Sequence, residues 1–230
     1  MIGEVIGRRV DLAAAPLLMT RPRMRAIDFT EPFMKVYASV LINKQASELI
    51  NGYKDLLNHP HFTYGVQAKG VLRRALKLSN DTDLSRLWKQ MLRWQERGLK
   101  FIFTKNNERG IKNVRIDESY AFILPSPIAD YMQLQMPCNL KSVDKFLINM
   151  DYAFAARKNS SLVSKINKSL RKFKKNGYLD RLRKKWWEDR SQCSSARSIK
   201  REVLGYNGKS TAVKGHFYLV LLPPLLLLLL

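Results

Sequence analysis

Apolar residues recur along this chain with two different periods. Short apolar runs bounded by Gly, Pro or polar clusters predict strands at Leu12–Ala15, Ile27–Phe29, Met34–Lys44, from Phe62, at Tyr120–Leu124 and at Asp151–Ala156. Between them, apolar residues spaced three and four apart predict helices. Ile2, Val5 and Ile6 share a face at the start, and Leu84, Leu87, Trp88, Met91 and Leu92 make an amphipathic stripe over 83–97. Leu162, Ile166, Leu170 and Phe173 make another, followed by Leu179, Leu182 and Trp186. Turn and cap residues punctuate these elements. Pro16 should end the first strand, since it has no N–H for a ladder. A polar loop, Thr20–Arg25, should then present an arginine before the second apolar run. Gly70 marks a turn into a helix ending near Leu78, Thr104 caps a short helix through Val114, Asn159-Ser160-Ser161 opens the helix carrying Leu162, and Asn176-Gly177 ends it. Strands alternating with helices read as a βαβ protein.

At 230 residues, 46% apolar and 10% aromatic, the chain can bury one or two cores. A net charge of +22 would suit nucleic acid or an anionic membrane. Yet the Lys and Arg are scattered over the polar sides of amphipathic segments, without zinc spacing or an aromatic-interleaved RNA motif. They read as a solvated basic face, and no nucleic-acid partner is expected. No nucleophile, acid–base pair or phosphate loop stands out, so neither catalysis nor a cofactor is expected. His59 and His61 have no third ligand nearby, and no metal is expected. Cys138 and Cys193 are either two free thiols or a disulfide. Asn80, Asn159 and Asn167 head N-x-S/T sequons. After Cys193 the chain turns polar (a linker over 194–216) and then apolar over 217–230 with Pro223-Pro224 inside. Those last fourteen residues would cover about 21 Å as a helix, short of the ~30 Å hydrocarbon core of a membrane.

The stretch Asp11–Phe33, DLAAAPLLMTRPRMRAIDFTEPF, resembles the ligand-binding core of ionotropic glutamate receptors. Ala15, Pro16, Leu17, Thr20, Arg23, Ile27, Asp28, Phe29, Thr30, Pro32 and Phe33 stand in register with the family's A-P-L-T-I-T-x-x-R-x-x-x-I-D-F-S-x-P-F. MIGEVIGRRVDLAAAP matches the stretch before it, SYAFILPSPIADY a lobe-two strand and helix, and Gly177, Leu179, Leu182, Lys185, Trp186 and Trp187 the family's G-x-L-x-x-L-x-x-K-W-W. The resemblance implies a two-lobed α/β clamshell like a periplasmic binding protein. Lobe one would be 1–38 with 152–193, incomplete because the family's upstream strands and helices do not precede it, and lobe two 39–151. It further implies a ligand-gated cation channel subunit, tetrameric with other receptor subunits, at the cell membrane with the binding core extracellular. Where the family inserts its pore, Gln45 runs directly into Ala46. The chain therefore reads as a fragment or variant lacking the pore. The alternative is a soluble solute-binding or chemosensory module that does not bind glutamate.

The resemblance also assigns residues. Arg23 holds the place of the carboxylate-binding arginine, in a segment opened by Pro16. Gly70, Val71 and Leu72 stand where glutamate-binding members have hydroxyls at a helix start, and a helix N-terminus with Lys69 nearby still favours an anion. Pro125 stands where an acid receives the ligand's ammonium, and Leu18 where a Thr accepts from the ligand. The implied ligand is an amino acid or carboxylic acid, and these departures point to an acid lacking a pairing ammonium. Cys138 and Cys193 fall at the family's disulfide, which would stabilise by roughly 3–4 kcal/mol through loop closure.

Overall fold

The computed structural model describes residues 1–193, without the side chains of 147–149. The expected linker, 194–216, and apolar tail, 217–230, lie outside the described residues. The elements run α1 (Ile2–Ile6), β1 (Leu12–Leu18), α2 (Arg21–Ala26), β2 (Asp28–Phe29), β3 (Met34–Asn43), a 3₁₀ turn (Lys44–Glu48), α3 (Asp55–Asn58), β4 (Thr63–Gln67) and α4 (Val71–Lys77). They continue with α5 (Thr82–Glu96), β5 (Phe103–Thr104), α6 (Asn107–Ile116), β6 (Tyr120–Pro125), α7 (Ser126–Met132), β7 (Leu140–Ala156), α8 (Ser161–Lys175), α9 (Tyr178–Arg183) and a π-helical turn (Lys184–Asp189). Two compact units result. Among the described residues, the first holds Met1–Lys35 and Met150–Lys184, and the second Val36–Asn149 with the residues from Lys185 on.

In the first unit the end of β7 pairs antiparallel with β1 (Ala13 opposite Ala155) and with β2 (Phe29 opposite Ala155). β1 does not stop at Pro16. It continues to Leu18 with a register shift between Ala13 and Leu17, an irregularity where a residue without an N–H is tolerated. Its alternation buries Ala13, Ala15 and Leu17 against Val5, Ile27 and Ala155. Ile6, expected beside Val5, is 53% exposed because α1 ends there after little more than a turn. The segment expected as a polar loop is α2: Pro22 in its first turn has its φ preset for a helix and gives up an N–H that would lack a partner anyway. Thr30 continues the β2 edge. Its N–H donates to the Phe154 carbonyl (3.0 Å), and its hydroxyl accepts from the Phe154 N–H (3.1 Å). Ser160 caps α8, and its apolar stripe buries Leu170 while Leu162, Ile166 and Phe173 stay half-buried. Gly177, at φ +66°, makes the left-handed turn that ends the helix.

The second unit carries strands in the order β7–β3–β6–β4–β5. β3 is antiparallel to β6, and β4 is parallel to both β6 and β5. β6 is apolar throughout and divides two cores. Ala121 and Ile123 face one, built by β4, α4 and α5 with Trp88, Met91 and Trp94. Tyr120, Phe122 and Leu124 face the other, with Ile111 and Val114 of α6 and Ala129 and Met132 of α7. Gly110 of α6 sits so close to Phe122 that a Cβ there would lie 2.3 Å from the ring. The α6 cap is Asn106, whose side chain accepts from the Arg109 N–H at 2.9 Å. Thr104, expected to cap, is held in the β5 ladder and instead donates its hydroxyl to the Asn106 carbonyl. Asp81 caps α5. At the expected pore position the chain makes only the 3₁₀ turn, begun by the Asn43 side chain accepting from the Gln45 N–H.

The segment after α9, expected with lobe one, packs on the second unit. Trp187 Nε1 donates to the Pro127 carbonyl (3.1 Å), the Gln192 N–H donates to the Leu134 carbonyl (2.8 Å), and Cys193 is disulfide-bonded to Cys138 across 55 residues. A loop of that length corresponds to about 4 kcal/mol in the chain-entropy account.

Asp28 ties the start of α8 to β2. Its carboxylate accepts from Lys158 Nζ and from the Asn159 N–H, both at 2.7 Å, and the Lys158 hydrogen bond holds its pKa below the ordinary 3.8. A lowered folded pKa contributes stability above the unfolded value, and that stability is lost as pH falls through the folded one. Asp28→Ala should cost about 1–2 kcal/mol at neutral pH, less than a buried charged hydrogen bond because the side chain is partly solvated. Urea unfolding at pH 7 and again well below pH 3.8 should show the difference between wild type and variant shrinking on acidification.

Candidate ligand-binding site

Arg23 lies in the first half of α2, which follows directly on β1. Its Nη1 donates to the carbonyl of Leu18, the last residue of β1, at 2.8 Å. Pro16 is half-buried two residues before that carbonyl. Partial burial lowers the Arg23 pKa from its ordinary value, yet a guanidinium so shifted keeps its proton at neutral pH. Among the described residues no carboxylate pairs with it. Several acids of the same unit are engaged elsewhere: Glu4 by Arg9, Asp11 by Arg157, Asp28 by Lys158 and Glu31 by Arg171. A half-buried cation held by one backbone carbonyl, with the rest of its planar fork uncommitted within the described residues, can accept a carboxylate.

In the second unit, the parallel pairing that sets Val66 opposite Ile123 brings the C-terminal ends of β4 and β6 to one edge of the sheet. Gly70 and Val71 follow β4 there, and Pro125 closes β6. Such an edge, where helices start after parallel strands, is the usual place for ligands in open α/β sheets. The Ala68 N–H donates to the Thr104 carbonyl at 2.8 Å, tying the turn before α4 to β5. α4 opens at Gly70 without a side-chain cap. Gly70 has φ −135°, and a Cβ would meet the Gln67 carbonyl no closer than 3.4 Å, so neither backbone nor space demands glycine. Val71 is half-buried, whereas Leu72 is 5% exposed and belongs to the core with Leu76 and Trp88. Leu72 is thus brought to the right element but faces inward, one residue on from Val71 around the helix.

Pro125 is half-buried at the N-cap of α7 with φ −60°. The nearby acid Asp130 is taken by Lys145 Nζ at 3.0 Å. The sequence reading passed over Ser126. It is 3% exposed, and its hydroxyl accepts from the Tyr37 N–H at 3.1 Å, which joins the start of α7 to β3. A serine just before a proline at a helix start was the available signal.

Residues 1–189 match the family of bacterial extracellular solute-binding proteins, family 3. The chain belongs to this family. Solute-binding chains of family 3 are binding proteins rather than an enzyme class, and their periplasmic-binding-protein-like α/β fold is the one described above. The chain is also 27% identical over 172 residues to glutamate receptor 3 of Rattus norvegicus and, equally, of Homo sapiens, which covers 74% of this chain. It spans 19% of the length of those receptors. A Drosophila muscle GluRIIB structure, solved in complex with glutamate, superposes with a TM-score of 0.72 at 28% identity, covering 81% of this chain and 72% of that one. This family 3 chain therefore carries an ionotropic glutamate receptor-like ligand-binding region. No helix among its described residues is long and apolar enough to cross a membrane.

Ser126→Ala should destabilise the second unit by about 1–2 kcal/mol, because it leaves the Tyr37 N–H without its buried acceptor. Chemical denaturation should show a lower midpoint with an unchanged slope. Amide exchange at Tyr37 should quicken.

Proposed function

We propose that this chain is the ligand-binding portion of a receptor subunit of the ionotropic glutamate receptor type, and that Arg23 anchors the carboxylate of its ligand. The observation that carries this reading is the half-buried Arg23 guanidinium, held by the Leu18 carbonyl and without an acid partner among the described residues. The glutamate named with the GluRIIB structure supports an acidic ligand class. Receptor assembly, a membrane setting and gating of cation flow come to the chain by the same likeness.

The ligand itself is a carboxylic acid without an ammonium group. Pro125 offers no charge, Val71 and Leu18 offer no hydroxyl, and Asp130 is already paired. A charge-assisted hydrogen bond contributes roughly 1.5–3 kcal/mol. An ammonium desolvated without a partner costs at least as much. Glutamate would gain the first and incur the second, while a plain dicarboxylate such as glutarate keeps the gain. This favours a chemosensory member of the receptor type over one tuned to glutamate.

Calorimetry on the chain with glutarate and glutamate in parallel should give tighter binding for glutarate. Arg23→Ala should weaken glutarate about tenfold or more, the equivalent of losing one charge-assisted bond. Pro125→Glu should raise glutamate affinity and lower that of glutarate, since it supplies a partner for the ammonium. Submicromolar glutamate binding by the wild-type chain, or glutarate binding indifferent to Arg23→Ala, would overturn the assignment.

A further inference from the structure

A second cavity lies wholly within the second unit, away from Gly70 and Pro125. It measures about 420 Å³, and its floor is aromatic and aliphatic: Leu56 of α3, Phe62 and Tyr64 at β4, and Trp94 of α5. Its rim is basic, with Arg86, Lys89 and Arg93 of α5. The Tyr64 ring is 1% exposed and packs edge-on against Trp94, with centroids 4.7 Å apart. Its hydroxyl has no hydrogen-bond partner among the described residues. Tyr120, on the neighbouring strand β6, behaves differently: it donates its hydroxyl to the Phe101 carbonyl at 2.8 Å. A buried hydroxyl is normally satisfied, and this one belongs to a residue that lines the cavity.

The charges around that hydroxyl say what kind. Burial raises the Tyr64 pKa, while Arg93 and Arg86 oppose the rise, which puts both guanidiniums within electrostatic reach of the phenol. Arg93 donates only to Gln90 among the described residues, Arg86 holds Asp83 loosely at 3.6 Å, and all three basic side chains are exposed at the rim. The volume falls within the range of small-molecule sites, and an apolar floor with a few polar groups is their usual lining.

We infer that this cavity is a second ligand site, which takes an aromatic monoanion with its ring on Tyr64 and Trp94 and its anionic group among Arg86, Lys89 and Arg93. The Tyr64 hydroxyl gains a hydrogen-bond partner from the occupant. The site is independent of Arg23, and neither assignment requires the other.

The probe is 2-naphthoate, titrated into the whole chain by calorimetry, with uncharged 2-naphthol in parallel. Saturable one-to-one binding of naphthoate is expected, with naphthol several-fold weaker. Arg86→Gln with Arg93→Gln should weaken naphthoate by roughly tenfold, in keeping with the loss of two charge-assisted contacts at a partly exposed rim. Tyr64→Phe should weaken it by a smaller factor. With saturating glutarate present to occupy Arg23, naphthoate binding should be unchanged. The rim side chains are exposed, so thermal melting should confirm that the double variant folds; Lys89→Gln provides a milder test of the same charge dependence. Three results would each overturn the site: no saturable binding, equal affinity in the rim variants, or loss of naphthoate binding under saturating glutarate.

Discussion

The larger unit depends on one strand being apolar on both faces. β6 lies between β3 and β4, and every residue from Tyr120 to Leu124 is buried. A strand of this kind has no solvent side, so it needs a layer of helices on each face. α4 and α5 pack on the Ala121 and Ile123 side, and α6 and α7 on the Phe122 and Leu124 side. The two glycines at close approach follow from the same demand. Gly65 of β4 leaves room for the Tyr120 hydroxyl and the Phe101 carbonyl, and Gly110 lets α6 approach Phe122. Larger residues at either place would force the layers apart, at a typical cost of about 1–3 kcal/mol.

The chemistry at the sheet edge is a by-product of that layering. Because β4, β5 and β6 run parallel, their C-terminal ends gather, and the helices that follow begin side by side. The residues found there, Gly70, Val71 and Pro125, contribute shape more than charge. In the first unit the charged contribution is concentrated in Arg23, and Leu18 matters to it through its backbone carbonyl. A backbone acceptor does not depend on side-chain identity. That is why Leu at this position leaves the anchoring hydrogen bond in place.

The sequence disclosed the elements whose signals were periodic. The stripe of Leu84, Leu87, Trp88 and Met91 appears as a buried helix face, and the β-branched run from Met34 as a ten-residue strand. The resemblance carried the fold class and the pairing of Cys138 with Cys193. What was not legible depended on partners distant in sequence. Pro16 looked like a strand stop, but a register shift absorbs it. Thr104 looked like a cap, but the parallel ladder with β4 claims it first and leaves capping to Asn106. The resemblance set Leu72 in the site with Gly70 and Val71, but its side chain turns into the core. The open hydroxyl of Tyr64 had no sequence signal, since an aromatic in a buried strand looks the same whether or not its oxygen finds a partner.

The disulfide determines where tension would enter the molecule. α9 belongs to the first unit, but a few residues later Cys193 is covalently fastened to Cys138 in the second. A pull on the chain beyond Cys193 is therefore borne by the second unit at the end of α7, before it reaches α9. With the sulfurs reduced, the same pull would fall on the noncovalent contacts of this segment, among them the hydrogen bonds of Trp187 and Gln192 and the packing of Trp187 on Tyr131. The bond acts as a mooring point that assigns a mechanical load to one unit rather than the other.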